Sequence, residues 1–419
     1  MMAHSRKCLL AISTAAITLA GFSAAEAGGF ALREQSAYGQ GMSFAGVAAG
    51  GSLSSMFWNP ATLSQVMGLE FESGISGVIP ISEVLVTAGP GSPFGEGDIG
   101  QDALVPNSYA AYRVNDKVIV GIGINGPFGL ATEYPAASIA RAGGIAGDSE
   151  IFTINANPAV AFQINDYVTV ALGAQIQWLD LTLTDQATTL GGGGIVDLEG
   201  DGFGYGLTAG IQIMAGPNTE IGLGYRSRID NDHEGTLVRI NGVPANVPAT
   251  TTLDLPDLVT LGIRHKINDY WRVMAGVEWA NWSRFGTVTL TTPLGSQPLA
   301  FDYDDGWYFS AGAEYMWNDQ LTLRGGVGWE LSPVSDQVRS FRLPDDDRLW
   351  LSAGASYKAN DRYSFDVGYS FLTTFDTTIN NTNPANAGGL PGFATADVDA
   401  NVHIFSAALK VKLGGHASP

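Results

Sequence analysis

The sequence predicts an all-β fold: a transmembrane antiparallel β-barrel of about fourteen strands, with its lumen plugged by an N-terminal hatch. Three observations predict it. Long segments alternate apolar and polar residues with a period of two. Six short turns separate them at intervals of about 40–50 residues. The chain is also poor in charge and rich in glycine: 15% of residues are charged, against ~25% in a soluble domain, and 54 of 419 are Gly.

The elements follow in chain order. Residues 1–27 read as a secretory signal peptide. Arg6 and Lys7 give a positive start, Cys8 to Phe22 an apolar stretch, and Ala25-Glu26-Ala27 a small-residue cleavage site that makes Gly28 the first mature residue. Cys8 is the only cysteine, and it precedes the apolar stretch, so the exported chain carries no disulfide and no lipid-attachment thiol. Residues 28–65 are rich in Gly and Ala and do not alternate cleanly; Phe30, Phe44, Phe57 and Trp58 are interspersed. A fourteen-stranded barrel has a lumen too wide for its own side chains to fill. This segment is the expected hatch, and its four aromatics are candidate ligand contacts.

The barrel is expected over residues 66–413. Its turns are Asn115-Asp116, Asn165-Asp166, Pro217-Asn218, Asn268-Asp269, Asn318-Asp319 and Asn360-Asp361. Asn and Asp suit tight turns because their side chains bond the local backbone. The flanks alternate. Leu321, Leu323, Val327, Trp329 and Leu331 share one face, and Thr322, Arg324, Gly326, Gly328 and Glu330 the other. Runs of ~10–16 residues exceed the ~5–6 of soluble strands and suit a tilted membrane crossing. The turns join twelve strands; one more precedes them (about 66–82 or 101–113) and one ends the chain at 398–413. Tyr112, Tyr167, Tyr270, Trp271, Tyr315, Trp317, Tyr357 and Tyr363 cluster beside the turns as an interfacial girdle. Closure is required, because an open sheet edge in lipid leaves unpaired N–H and C=O groups. Longer loops are expected at 82–101, 131–149, 185–202, 231–253, 290–302, 331–347 and 377–397, and a C-terminal tail at 414–419.

Composition excludes several functions. A net charge of −20 disfavours nucleic acid. Only the N-terminus holds a long apolar run, so a helical membrane bundle is excluded. The mature histidines His233, His265, His403 and His416 show no ligand spacing, and no metal or other cofactor is expected. Asp345-Asp346-Asp347 reads as a solvated loop tip. No residue set supports a catalytic site; His403 and Ser406 fall on opposite strand faces, which disfavours an outer-membrane lipid hydrolase.

Several stretches together carry a family resemblance. They are the opening Gly-Gly-Phe30, Asn59-Pro60-Ala61, Asn125-Gly-Pro-Phe-Gly-Leu-Ala-Thr-Glu-Tyr134, Tyr225-Arg226-Ser227, Asn281-Trp282-Ser283, Ser332-Pro-Val-Ser-Asp-Gln337 and Leu343-Pro-Asp-Asp-Asp-Arg-Leu-Trp-Leu-Ser-Ala-Gly354. In order and spacing the mature chain resembles the FadL/TodX family of outer-membrane transporters for long-chain fatty acids and other hydrophobic compounds. The resemblance implies a hatch that blocks the lumen and holds an apolar ligand. It also implies an inward kink in the third strand, opening the barrel wall so that ligand leaves sideways into the membrane. The matching residues are Gly126, Pro127, Phe128 and Gly129. Their chemistry agrees: Pro lacks the ladder N–H and Gly marks bends.

The chain also departs from that pattern. No Lys or Arg occurs between Arg141 and Arg226, so a carboxylate clamp in the fifth strand is missing. Arg226, Arg228 and Arg324 are the possible headgroup partners, with lumenal pairing to Glu220 or Glu330 as their plainer role. The loop at 185–202 is short, and the chain ends Lys-Val-Lys-Leu413 before the tail rather than on an aromatic residue. These departures raise the weight of a neutral hydrocarbon ligand. The expected setting is the bacterial cell outer membrane. The partners there are a hydrophobic small molecule, membrane lipid, lipopolysaccharide and the barrel-assembly machinery, with the chain a monomer. A nonspecific porin is the alternative.

Overall fold

The computed structural model describes residues 28–88, 94–136, 138, 146–188, 194–375, 377–381 and 394–414. The expected signal peptide and all of the expected tail after Gly414 lie outside the described residues. Fourteen staves form one antiparallel sheet. They are β1 (Leu69–Ala88), β2 (Ala103–Arg113), β3 (Val118–Asn125, then Gly129–Glu133), β4 (Asp148–Gln163), β5 (Val168–Thr188), β6 (Gly194–Met214) and β7 (Thr219–Arg226, then Ile229–Ile240). The second half comprises β8 (Val243–Leu255, then Leu258–Lys266), β9 (Trp271–Ala280, then Thr287–Thr292), β10 (Gly295–Ala300, then Gly306–Met316), β11 (Leu321–Leu331), β12 (Arg348–Lys358), β13 (Tyr363–Thr374, then Thr377–Asn381) and β14 (Ala394–Leu413). β1 pairs with β14 from Leu69↔Leu413 to Ala88↔Thr395, which closes the cylinder.

The Asn-Asp turns share one geometry. Asn115 Oδ1 accepts from Lys117 N (2.9 Å) and Val118 N (3.0 Å). The side chains of Asn165, Asn268, Asn318 and Asn360 each accept from the two equivalent amides. One side chain thus satisfies two turn donors that no strand reaches. Beyond the turns, the outward face is apolar and exposed, as at Leu172, Ile176, Leu223, Val327, Val367 and Phe405, and the girdle residues Tyr112, Tyr167, Tyr270 and Trp317 are exposed at the rim.

Residues 28–66 lie inside the cylinder. They form one helical turn (Ala37–Gln40) and three short 3-10 segments (Val47–Ala49, Leu53–Phe57, Pro60–Gln65). Nearly all of these residues are buried. Glycines on the inward face make the room. A β-carbon at Gly222 would lie 1.8 Å from Ala48 O, at Gly224 1.8 Å from Trp58 O, and at Gly326 2.3 Å from Met42 O. Part of the glycine excess therefore lets the segment's backbone approach the wall.

Two expectations change. The described residues of the expected loops at 82–101 and 185–202 are largely strand: β1 runs to Ala88 and pairs with a short strand Phe94–Asp98, and β5 and β6 pair out to Thr188↔Gly194. The segments at 231–253 and 290–302, also expected as loops, are strand hairpins. The first turns at Asn241 (φ 50°) and Gly242 (φ 76°), the Asn-Gly pairing that a two-residue hairpin requires. These extensions are rich in Thr, Asn and Asp, so the two-sided apolar contrast fades although the ladder continues. Asp345 is not at a solvated tip: it is 1% exposed.

Candidate functional site

The site begins where β3 breaks. Up to Asn125, β3 pairs with β2 on one side and β4 on the other. Past the break, Gly129–Glu133 pairs with β4. On the β2 side only the bridge Gly100↔Thr132 remains among the described residues, and Ala103–Asn107 of β2 pairs with β1 alone. The wall is interrupted between β2 and β3.

Pro127 explains the break, since it has no N–H for the ladder. The groups freed there are taken by the hatch. Leu32 N donates to Pro127 O (2.8 Å) and Gly129 N to Phe30 O (2.9 Å); Gln35 Nε2 donates to Gly126 O (2.7 Å). Thr153 of β4 accepts from Phe128 N (3.0 Å) and returns its hydroxyl to Phe128 O (2.6 Å). Every polar group of the kink that these bonds reach is satisfied without water.

Phe30 stands at the junction. Its ring lies 6.1 Å from Phe128, 4.7 Å from Trp282 and 5.4 Å from Phe285. Trp282 comes from the 3-10 turn Trp282–Arg284 that interrupts β9, fastened by Asn281 N to Asp257 O (2.9 Å). Beyond Phe30 opens a cavity of about 120 Å³ lined by apolar side chains, among them Leu130, Ile151, Leu181, Leu253 and Phe301. Arg342 is the one lining cation among the described residues, bonded to Ser149 Oγ (2.9 Å) and Thr184 O (2.8 Å) among others.

A buried polar layer lies under this region. Arg33 reaches Glu278 Oε1 (2.5 Å) and Glu330 Oε1 (3.1 Å), with its guanidinium 3.9 Å over the Tyr308 ring. Gly29 N donates to Asp345 Oδ2 at 2.7 Å. Burial pushes the Asp345 carboxyl up from its ordinary value and the Glu34 carboxyl up to about 7.

The other sequence candidates lie elsewhere. Phe44, Phe57 and Trp58 pack on one another and on Trp350 in the hatch core, away from the cavity. Asn59 is fully buried; its Nδ2 donates to Ala48 O (2.7 Å) and Ile211 O (3.0 Å), and its Oδ1 accepts from Ala61 N (3.0 Å). Pro60 opens the 3-10 segment that follows. Arg226 bonds Phe57 O (3.0 Å) over the Phe57 ring, and Arg324 pairs with Glu314 (3.4 Å) and Asp366 (3.5 Å). Arg228 is 44% exposed and pairs with Asp230 rather than facing the lumen. Glu220 binds Arg264 and Glu330 binds Arg33 instead of these arginines. Arg342, Trp282 and Phe285 escaped assignment because nothing local marks them; only the resemblance at Asn281-Trp282-Ser283 touches the site.

Comparison with known proteins agrees with this architecture. The model for "Outer membrane protein transport protein (OMPP1/FadL/TodX)" matches residues 18–412. Outer membrane protein P1 of Haemophilus influenzae is 28% identical, covering 90% of this chain and 96% of its own. The long-chain fatty acid transport protein of Escherichia coli K12 is 26% identical over 89% and 93%. Among solved structures, a Pseudomonas aeruginosa FadL homologue superposes with a TM-score of 0.82 at 22% identity, covering 91% of this chain and 99% of that one. The P. putida toluene transporter TodX gives 0.68 at 18% identity, over 87% and 95%; at these identities the structures establish the fold.

Proposed function

The chain belongs to the OMPP1/FadL/TodX family of outer membrane transport proteins, and from that premise we propose that it carries hydrophobic small molecules passively into the membrane through the break in β3. The observation that carries this reading is the shared boundary of the break, the hatch and the cavity: Phe30 touches all three. Cargo enters the apolar cavity, and displacement of residues 30–35 frees the way past Gly126–Gly129 to lipid. Partition out of water supplies the drive, since burying each CH₂ gains ~0.8 kcal/mol. The cargo is a long-chain fatty acid or a neutral hydrocarbon. The apolar lining suits either body, and Arg342 gives one point for a carboxylate.

The test replaces residues 126–129 with alternating strand residues. Uptake of labelled oleate and toluene is then measured in cells lacking other such transporters, with heat-modifiable electrophoretic mobility as the check on folding. Loss of uptake by a folded barrel is the expected result; unchanged uptake removes the lateral route. Large, steady ohmic conductance of the wild-type protein in planar bilayers would overturn the plugged-transporter reading in favour of a porin. Mass spectrometry of co-purified lipids separates the two cargo classes.

A further inference from the structure

Gly28 is buried, and its surroundings are acidic. A β-carbon there would lie 2.5 Å from Glu330 Oε1, so the Gly28 backbone rests directly against that carboxylate. Four carboxylates gather around residues 28–34: Glu34, Glu278, Glu330 and Asp345, all less than 8% exposed. Two guanidiniums answer them. Arg33 serves Glu278 and Glu330, and Arg348 serves Asp345. Tyr308 lies beneath Arg33; the partly exposed Asp347 is a further acid near Glu330, and Arg339, which donates Nε to Asp345 O (2.7 Å), is committed to Asp336 and Asp346. With every carboxylate ionised, the cluster is two positive charges short, and uncompensated buried charge is costly. Protonation of Glu34, whose carboxyl burial raises to about 7, removes one of the two. One cation is still missing.

The sequence supplies it. Hydrolysis at the predicted cleavage site adds water across the Ala27–Gly28 peptide bond. Ala27 leaves as a carboxylate, and Gly28 is left with an α-amine that holds a proton at neutral pH; an unperturbed α-amine has pKa ~7.7–8.0. We propose that this new α-ammonium is a structural cation, buried against Glu330, and that it completes the cluster that pins the hatch arm beside the β3 break. Closure of the hatch thereby follows processing, since an uncut chain has a neutral amide at this point. The inference rests on the predicted cleavage site and on this geometry; transport does not enter its test.

The protein is purified from outer membranes and its N-terminus established by intact mass. It is then treated with an acetylating N-hydroxysuccinimide ester at pH 8, folded and urea-unfolded, and mapped by peptide mass spectrometry, with the exposed Lys117 as internal control. The expected result is a chain starting at Gly28 whose α-amine reacts at least about tenfold more slowly folded than unfolded, while Lys117 changes little. Glu330→Gln should release about tenfold of that protection. A chain starting elsewhere, or equal α-amine rates in the two states, overturns the proposal from the wild-type protein alone. Protection unaltered in a folded Glu330→Gln protein overturns the assigned partner.

Discussion

Glu34→Gln isolates the one carboxylic acid of the hatch segment 28–65. Glu34 is 2% exposed, and its Oε2 is buried without a hydrogen-bond partner among the described residues. Burial dominates its environment; Arg33 and Arg348 pull its carboxyl down and Glu330 pushes it up. Its carboxyl moves from an ordinary 4.5 to about 7. The docked hatch thus holds this proton more tightly than a hatch released into water. The sign follows: docking is strongest below about 4.5, weakens as pH rises, and has lost the whole contribution above about 7. At ~1.4 kcal/mol per tenfold the loss is roughly 3 kcal/mol. An α-ammonium at Gly28 lowers that ceiling, because it favours the ionised form. The assay is amide hydrogen exchange of peptides spanning residues 30–50 in the wild type and in Glu34→Gln, corrected for intrinsic rates. Wild-type protection should fall by up to about 300-fold between pH 4.5 and 8, whereas the Gln variant should lose most of that dependence. Identical pH profiles for the two proteins would refute the reasoning, because Gln cannot titrate.

Further outcomes test other parts. Asn59→Ala with Pro60→Ala removes three buried hydrogen bonds at about 1 kcal/mol each; frequent conductance bursts in planar bilayers are expected, and a quiet trace would deny this pair a role in seating the hatch. Trp282→Ala deletes a side chain 1% exposed beside Phe30, costs about 3–5 kcal/mol and enlarges the cavity. Its binding, followed by ligand-induced change in tryptophan fluorescence, should shift toward bulkier hydrophobic compounds; an unchanged preference would separate Trp282 from the ligand. Asn268→Ala removes two exposed turn bonds and should lower the melting temperature only slightly, with assembly in the membrane unchanged.

The staves and turns were legible in the sequence because their causes are local. A strand with lipid on one side must alternate, and an Asn that bonds the amides two and three residues ahead needs nothing distant. Legibility failed at 231–253, where Asn231 and His233 are buried alongside Leu237, Ala249 and Leu253, so the inward face is part polar and gives little apolar contrast in the sequence. The cavity was illegible for a different reason. Phe30, Leu130, Ile151, Leu253 and Phe285 come from the hatch and from separate staves, each a normal alternating or loop residue where it stands. Arg226 and Arg324 were legible as inward-facing residues, but only some of their partners were: Glu314 stands opposite Arg324 on the adjacent stave, whereas Phe57 O and the Tyr38 ring come from the hatch. Asp345 looked like a solvated tip because its partners, Gly29 and Arg348, meet it only when the loop folds inward.

The shared hydrogen bonds at the break bear on how it can open. An interrupted stave facing lipid leaves polar backbone groups that the bilayer cannot satisfy, at several kcal/mol each. Here three are met by the backbone of Phe30 and Leu32 and by the Gln35 side chain. On the proposed route, withdrawing residues 30–35 would therefore do more than clear a passage. It would orphan Pro127 O, Gly126 O and Gly129 N as the passage formed, and these groups would need water or a ligand's polar end in exchange. Residues 30–35 are in turn fastened by Arg33 to Glu278 and Glu330, and by Tyr109 to Gln35 O (2.9 Å). Two sets of partners thus hold one six-residue arm, and neither set releases it alone. Under the proposed lateral route, opening would be cooperative, because the same residues bond the kink and wall off the cavity.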